Sequence, residues 1–172
     1  PYASTASYDT NGRMATRAYP NGLTLRYGYT PLGYLKDIRN ASNNALYWQV
    51  DNQDAEGHLR QQTYGNALQT TQSYDPASGR TTAIQSGTGN AVQNLAYQYD
   101  SLGNVTSRSD ATQGLAETFL YDSLNRLTSA TVNSGGAGLV TQSFTYDTVG
   151  GIASKSDVGT YTYPTVGNIH PH

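Results

Sequence analysis

The sequence predicts an all-β fold in which antiparallel β-hairpin repeats form one continuous curled or spiralling sheet. Three observations support this prediction. Short turn motifs, most of them opened by tyrosine–aspartate, recur at intervals of 17 to 25 residues. Beside them, aromatic residues alternate with other residues at a period of two, as in Tyr97-Gln98-Tyr99, which is typical of strands. No helical period continues beyond one turn, so the repeats read as strands joined by turns.

Most repeats centre on a turn that opens with a carboxylate and closes with glycine. Aspartate at the first position of a type I turn accepts N–H groups from within the turn, and glycine at the fourth position supplies the positive φ of the adjoining bulge. Thr30 opens the turn that ends at Gly33, and Asn125 replaces glycine in another. The predicted structural turn residues are Asp9, Gly12, Gly33, Asp54, Gly57, Asp75, Gly79, Asp100, Gly103, Asp122, Asn125, Asp147 and Gly150.

Tyrosine precedes the opening residue of most of these turns, and a second aromatic residue often lies two positions earlier on the same strand face. Cross-strand pairs of such side chains contribute about 0.2–1 kcal/mol each. We therefore predict an aromatic ladder formed by Tyr8, Tyr29, Tyr74, Tyr97, Tyr99, Tyr121, Tyr146 and Tyr163. The segment from Tyr163 to Gly167 reads as a degenerate last copy of the repeat.

Composition bounds the organisation of the chain. Its 172 residues include 15 tyrosines and no cysteine, with a formal net charge of −2, so the chain has no disulfide framework and no thiolate metal site. Few aliphatic residues are available for a thick core, and a long single sheet curls because strand twist accumulates. We predict one tyrosine–aspartate repeat segment over residues 1–172, with about seven to eight hairpin units and no separate second domain.

Several functional classes find no support. No apolar stretch is long enough to span a membrane, and the ten basic residues are scattered, which argues against a nucleic-acid surface. Pro1 as first residue and Met14 as the single methionine lead us to expect a piece of a longer protein. The chain shows no signal-type segment at its start.

Candidate ligands and catalytic groups are also explained by the repeat. His58 follows a turn glycine, at a position that Arg13 and Arg80 fill elsewhere, and His170 and His172 lie at the end of the chain. Calcium needs six or more clustered oxygens, whereas each turn supplies one aspartate. No Ser-His-Asp order, phosphate loop or carboxylate pair stands out. We predict no enzyme activity, no catalytic or metal residue and no cofactor.

The motifs YDTNGR, YDSLGNVTSR, YDSLNRLTSA and YDTVGGIASK resemble the tyrosine–aspartate (YD) repeats of bacterial Rhs proteins and of the C component of Tc toxin complexes. The resemblance implies a sheet that winds into a hollow shell around a C-terminal toxic polypeptide. Its implied partners are the rest of the shell and this cargo, and its implied location is secreted or at the bacterial cell surface. The family's protease motif is not carried over, because Asp75-Pro76 lies in an ordinary repeat turn.

Two other functions remain open at this stage. Exposed tyrosines among asparagine, glutamine and aspartate make a platform for glycans, so a carbohydrate-binding or cell-surface adhesion module is the main alternative. A scaffold without cargo is the other. Packing within hairpins explains the same tyrosines, and we therefore predict a structural role.

Overall fold

A computed structural model describes residues 3–136 and 138–163, which form fifteen strands and one 3-10 turn. The chain divides into two compact units, Pro1–Asn94 and Leu95–His172. In the first unit the strands are β1 (Thr5–Tyr8), β2 (Met14–Ala18), β3 (Thr24–Tyr29), β4 (Leu35–Asn40), β5 (Leu46–Gln53), β6 (Leu59–Tyr64), β7 (Gln69–Tyr74) and β8 (Thr81–Ser86), followed by the 3-10 turn Thr88–Asn90.

Strand β9 (Gln93–Tyr99) begins at the end of the first unit and continues into the second. The second unit then contains β10 (Val105–Asp110), β11 (Leu115–Tyr121), β12 (Leu127–Asn133), β13 (Leu139–Tyr146), β14 (Ile152–Lys155) and β15 (Gly159–Thr160). Within each unit the strands pair antiparallel in the order of the sequence. The predicted fold class, an all-β sheet of antiparallel hairpin repeats, is confirmed. The predicted number of hairpin units stays a prediction.

A β-bulge marks the start of the tight turns. In the β11–β12 hairpin, Leu120 pairs with Ser129 and the next residue, Tyr121, pairs with Leu127, so the register shifts between Leu120 and Tyr121. The same shift precedes Tyr8, Tyr29, Tyr74 and Tyr146. A bulge bends its strand and redirects the side chain that follows. It therefore sets the direction of each of these tyrosines.

The sheet has no apolar core in the described residues, where no hydrophobic side chain is buried. The buried side chains of that part of the chain are Gln62, Thr70 and Ser86, all of them polar. Stability must therefore come from backbone ladders and from contacts that recur at each hairpin. Among the described residues no helix is long and apolar enough to cross a membrane.

Candidate functional site: the turn–tyrosine clusters

The aspartate that opens each turn organises the turn through its carboxylate. In the β11–β12 turn, Asp122 Oδ1 accepts the backbone N–H groups of Leu124 at 2.9 Å and Arg126 at 3.0 Å, and the N–H of Asn125 reaches the Asp122 carbonyl at 3.0 Å. Equivalent carboxylate bonds form at Asp9, Asp54, Asp75, Asp100 and Asp147. The carboxylates thus replace missing backbone partners inside the turns.

Hydrogen bonds to these carboxylates favour their ionised form. The backbone N–H of Arg126, together with its guanidinium group, lowers the pKa of Asp122, and Arg13 does the same for the pKa of Asp9. The side-chain amide of Asn104, followed by backbone N–H groups of the turn, lowers the pKa of Asp100. The hydroxyl and backbone N–H of Ser78 lower the pKa of Asp75. The turn hydrogen bonds therefore favour the charged form of these aspartates.

The closing position of each turn lies in the left-handed region. The φ angles are 74° at Gly12, 90° at Gly33, 90° at Gly57, 68° at Gly79, 99° at Gly103, 94° at Gly150 and 60° at Asn125. Asn125 accepts this conformation and makes a bond that glycine could not make, because its Oδ1 receives the amide N–H of Asn104 from the preceding hairpin turn at 2.9 Å. Successive turns therefore touch each other at this position.

The tyrosine of one hairpin donates its hydroxyl to the hairpin before it. Tyr121 donates to the carbonyl of Val105 at 2.9 Å. Equivalent bonds join Tyr29 to Met14 at 2.8 Å, Tyr74 to Leu59 at 3.0 Å, Tyr146 to Leu127 at 2.7 Å and Tyr163 to Ile152 at 2.9 Å. Each acceptor is the first residue of the strand that follows a turn.

These carbonyls lie just before the ladder between neighbouring hairpins begins. The pairing of β10 with β11 starts at Ser107 opposite Thr118, two residues after Val105. The tyrosine hydroxyl thus supplies a hydrogen bond at a position that the backbone ladder between the two hairpins does not reach. A half-buried carbonyl without a partner is costly, so this bond extends the contact between hairpins towards the turn.

A third side chain completes the arrangement. Arg126, the residue after the closing position, has its Nη2 atom 2.7 Å from Asp122 Oδ2, and its guanidinium carbon lies 4.5 Å from the ring centroid of Tyr146. Arg13 makes the same two contacts with Asp9 and Tyr29, at 2.8 and 4.5 Å. Stacking of a guanidinium group on an aromatic face is attractive. The arginine therefore joins the carboxylate of one turn to the tyrosine of the next hairpin.

We call this set of three positions the turn–tyrosine cluster. Its members are Asp9, Arg13 and Tyr29; Asp54, His58 and Tyr74; Asp100, Asn104 and Tyr121; Asp122, Arg126 and Tyr146; and Asp147, Gly151 and Tyr163. His58 stacks on Tyr74 with 4.6 Å between ring centroids. At Gly151 an added Cβ would lie 3.2 Å from the Tyr163 ring and 2.7 Å from the Asp147 carboxylate, so the absence of a side chain lets these two groups approach.

Two of the predicted ladder tyrosines, Tyr8 and Tyr97, have other surroundings. Tyr8 is 63% exposed, and it lies on the first described strand. Tyr97 lies opposite Arg108 in the register of β9 and β10. Tyr99 lies opposite Val105, the first residue of the strand after its turn, as Tyr121 lies opposite Leu127. The structural role of the predicted turn and ladder residues, as opposed to a binding role, stays a prediction.

The residue after the turn glycine was not predicted as part of the site, although the sequence carried a signal. Arg13, His58, Asn104 and Arg126 all follow the closing residue of a turn directly. Their shared position is visible in the sequence, but their tyrosine partners belong to the next hairpin and follow them by 16 to 20 residues. The pairing therefore needs the three-dimensional register.

One group of side chains has the composition of a metal site. The ligand atoms of Asp54, Glu56 and His58 lie within 4.8 Å of one another. His58 Nδ1 is 3.0 Å from Asp54 Oδ2, and Arg60 Nη1 approaches the same oxygen at 3.5 Å. The positive charge of Arg60 opposes a cation there, so we assign this group to the turn. The other two histidines, His170 and His172, and Gly167 of the degenerate last repeat lie outside the described residues.

Comparison with known proteins agrees with these features. Residues 99–137 match the family model described as RHS Repeat, while no curated protein matches the chain significantly. The chain is similar to the solved structure of TcdB2-TccC3-Cdc42, with a TM-score of 0.75 and 23% identity over 93% of this chain and 9% of that one.

Two further structures show the same relation. A Photorhabdus luminescens Tc holotoxin pore with a substitution in TccC3 has a TM-score of 0.75 and 22% identity over 92% of this chain and 9% of that one. TcdB2-TccC3 without its hypervariable C-terminal region has a TM-score of 0.76 and 23% identity over 93% and 9%. The chain thus spans about 9% of the length of these proteins. The predicted resemblance to Rhs and Tc proteins is confirmed by the RHS repeat at residues 99–137 and by a fold similar to that of the TcdB2-TccC3 structures.

Proposed function

We propose that the chain is a wall segment of an Rhs- or Tc-type shell that encloses and protects a C-terminal toxic polypeptide. The observation that carries this proposal is the turn–tyrosine cluster, in which the tyrosine hydroxyl of one hairpin donates to the hairpin before it. In the clusters of Arg13 and Arg126, the guanidinium group that pairs with the turn aspartate also stacks on this tyrosine. Such contacts connect nearest neighbours, so a sheet can lengthen by adding units. An extended wall is the function that this arrangement serves best.

The absence of an apolar core in the described residues supports the same role. A wall one sheet thick has both faces open, and an ordinary domain would have buried aliphatic side chains between layers. The similarity to TcdB2-TccC3 supports the fold of such a wall. The resemblance to Rhs and Tc proteins adds two further parts to the proposal. These are the enclosure of cargo and a secreted or cell-surface location.

A chimera tests enclosure directly. The segment of TcdB2-TccC3 that aligns with this chain is replaced by residues 3–163, and protease digestion of the hypervariable C-terminal region is followed over time. We expect this region to be digested no faster in the chimera than in TcdB2-TccC3. The same chimera carrying Tyr121→Ala and Tyr146→Ala should lose protection, whereas Tyr8→Ala, which changes an exposed tyrosine, should retain it.

A chimera that assembles into particles of parental size, yet leaves the C-terminal region as sensitive as the isolated polypeptide, would contradict the enclosing role. Failure of the chimera to assemble would contradict the assignment of this segment to a wall. Detection of this protein only inside cells, and never in the medium or at the cell surface, would contradict the proposed location.

We further infer that the described residues have no catalytic role. The pKa values of Asp9, Asp54, Asp75, Asp100 and Asp122 are lowered by turn hydrogen bonds and neighbouring charges, which makes these groups poor proton donors near neutral pH. Turnover of a peptide, glycoside or phosphoester substrate that disappears in Asp54→Asn would contradict this inference.

A further inference from the structure

The two faces of the sheet differ in exposure. Within each unit the described strands form a single layer, and successive side chains of a strand point to opposite faces. From Thr70 to Tyr74 in β7 and throughout β11, the residues that share a face with the cluster tyrosine are buried or half-buried, whereas the residues between them are exposed. The last five residues of β13 alternate in the same way. We call the less exposed side, which carries Tyr74, Tyr121 and Tyr146, the cluster face.

The cluster face of the first unit is concave. A cavity of about 810 Å³ lies on it, and Gln62, Thr70 and Ser86, the buried residues of the described part of the chain, belong to its lining. Gln62 lies opposite Thr70, and Thr70 lies opposite Ser86. Short polar side chains usually lie at the surface, yet Thr70 is 6% and Ser86 is 4% exposed. Without a covering layer, such burial requires the neighbouring strands to rise around them.

The cluster face of the second unit is also hollow. Apolar side chains line a hollow of about 260 Å³, among them Val105, Phe119 and Leu127. Phe119 is two residues from Tyr121, which lines the same hollow, so both side chains belong to the cluster face. Arg108 lines this hollow and a neighbouring one of about 210 Å³. In each unit the sheet is therefore indented on the side of the turn–tyrosine clusters.

The charged groups of the second unit lie on the same side. Strands β9 to β13 contain three charged residues, Arg108, Asp110 and Glu117. Arg108 lies opposite Tyr97 and Glu117, and its Nη2 donates to Glu117 Oε1 at 2.9 Å. Asp110 is two residues from Arg108 and so shares its face. The cluster face thus offers apolar hollows and charged groups together.

The opposite face of β9 to β13 has a different chemistry. Its residues are uncharged and many of them carry hydroxyl groups. Hydrogen bonds join them across neighbouring strands, as in Thr131 with Thr141, whose Oγ1 atoms are 2.9 Å apart, and Ser107 Oγ, which donates to Gln98 Oε1 at 3.1 Å. Such cross-strand pairs stabilise the sheet itself. This face therefore offers a partner neither a charge nor an apolar hollow comparable to those of the cluster face.

We propose that the cluster face is the inner face of the wall and the surface that contacts the enclosed polypeptide. This inference rests on the proposed wall function. A wall closes towards its concave side, which is the cluster face in the first unit. A polypeptide with apolar and charged side chains finds partners for both on the cluster face of the second unit. The hydroxyl-rich face is then the outer surface of the shell.

Cysteine labelling distinguishes the two faces, because the chain has no cysteine of its own. Ala130 lies opposite Phe119 on the cluster face, and its neighbour Ser129 lies opposite Leu120 on the other face. Both residues are half-buried, so Ala130→Cys and Ser129→Cys form a matched pair. The reagent is a maleimide on a poly(ethylene glycol) chain too large to enter a closed shell. Mass spectrometry identifies the labelled peptide in the 172-residue chain and in the TcdB2-TccC3 chimera.

In the 172-residue chain both thiols should react, since each face is open to solvent. In the chimera Ser129→Cys should react as fast as in the 172-residue chain, whereas labelling of Ala130→Cys should be lost. Gln142→Cys and Ser143→Cys provide a second pair, because Gln142 lies opposite Ala130 and Ser143 lies opposite Ser129. This second pair replaces the first if Ala130→Cys prevents assembly.

Photo-crosslinking tests the contact with the enclosed polypeptide. A benzophenone side chain replaces Gln142 or Ser143 in the chimera, and the crosslinked peptides are identified by mass spectrometry. We expect crosslinks to the hypervariable C-terminal region from position 142 and none from position 143. Crosslinks from position 143 alone would overturn the proposed contact.

The labelling outcomes separate this inference from the wall function. In a chimera whose hypervariable region resists protease, labelling of Ala130→Cys but not of Ser129→Cys would overturn the assignment of the inner face and leave the wall function intact. Equal labelling of both positions in such a chimera would overturn it as well. Labelling of both positions in a chimera whose hypervariable region is digested would contradict the wall function, and the inference that rests on it would fall too.

Discussion

Tyr121→Phe isolates the hydroxyl that joins one hairpin to the hairpin before it. The substitution keeps the ring and removes the bond from Tyr121 to the Val105 carbonyl, 2.9 Å long and partly buried. A protein hydrogen bond contributes a net 0.5–1.5 kcal/mol, and an unpartnered buried carbonyl adds to the loss. Val105 lies before the first ladder pair between β10 and β11. We therefore expect the free energy of unfolding to fall by about 1–1.5 kcal/mol.

Urea unfolding followed by far-UV circular dichroism measures this change, and Tyr8→Phe provides the matched control. Tyr8 is 63% exposed, so its substitution should change the free energy of unfolding by less than about 0.5 kcal/mol. Equal stability of Tyr121→Phe, Tyr8→Phe and wild type would show that the hydroxyl does not join the hairpins. A fall in both the midpoint and the slope of the transition for Tyr121→Phe would indicate that the two hairpins no longer unfold together.

Three further predictions concern the turns. Gly150→Ala should lower the free energy of unfolding by about 1–2 kcal/mol, because the φ angle of Gly150 is 94°. An added Cβ would meet nothing within 4 Å, so the cost comes from the backbone conformation alone. Gly136→Ala is the control, since Gly136 is equally open and has no positive φ, and it should be nearly neutral in the same urea assay. The pKa of Asp122 is lowered from its ordinary value of 3.8, so its stabilising contribution is complete above that pH and is lost as pH falls through the folded-state pKa. The fall in melting temperature between pH 5 and about 2 should therefore be smaller in Asp122→Asn than in the wild type. An equal fall in both proteins would contradict the stabilising role of the ionised Asp122 carboxylate. A double-mutant cycle of Asn104→Ala and Asn125→Gly should give a coupling energy of about 0.5 kcal/mol, since the two side chains share a 2.9 Å hydrogen bond, and additive effects would refute it.

The fold class and the turns could be predicted from the sequence because their causes are local. Aspartate and the glycine three residues later determine a turn within one short stretch, and alternation identifies the flanking strands. The bulge before Tyr121 follows from the same local geometry. Such features require no knowledge of which hairpin lies beside which.

The contacts between hairpins could not be predicted in the same way. Tyr146 reaches the carbonyl of Leu127, 19 residues earlier, and stacks on Arg126, and neither partner is marked by spacing along a single strand. The cavity was missed for a related reason. Gln62, Thr70 and Ser86 each resemble an ordinary polar position of a strand, and their common burial appears only when three strands are placed side by side.

The pair formed by Asn104 and Asn125 bears on how a chain of this kind can be edited. Because Asn125 at the end of one turn bonds to Asn104, which follows the turn before it, these two neighbouring units depend on each other's sequence. Exchanging or deleting either unit would remove this hydrogen bond. A designer who wishes to shorten or extend the protein should therefore cut within a strand of one hairpin and rejoin at the same point of another, so that each outgoing side chain still meets the residue that suits it.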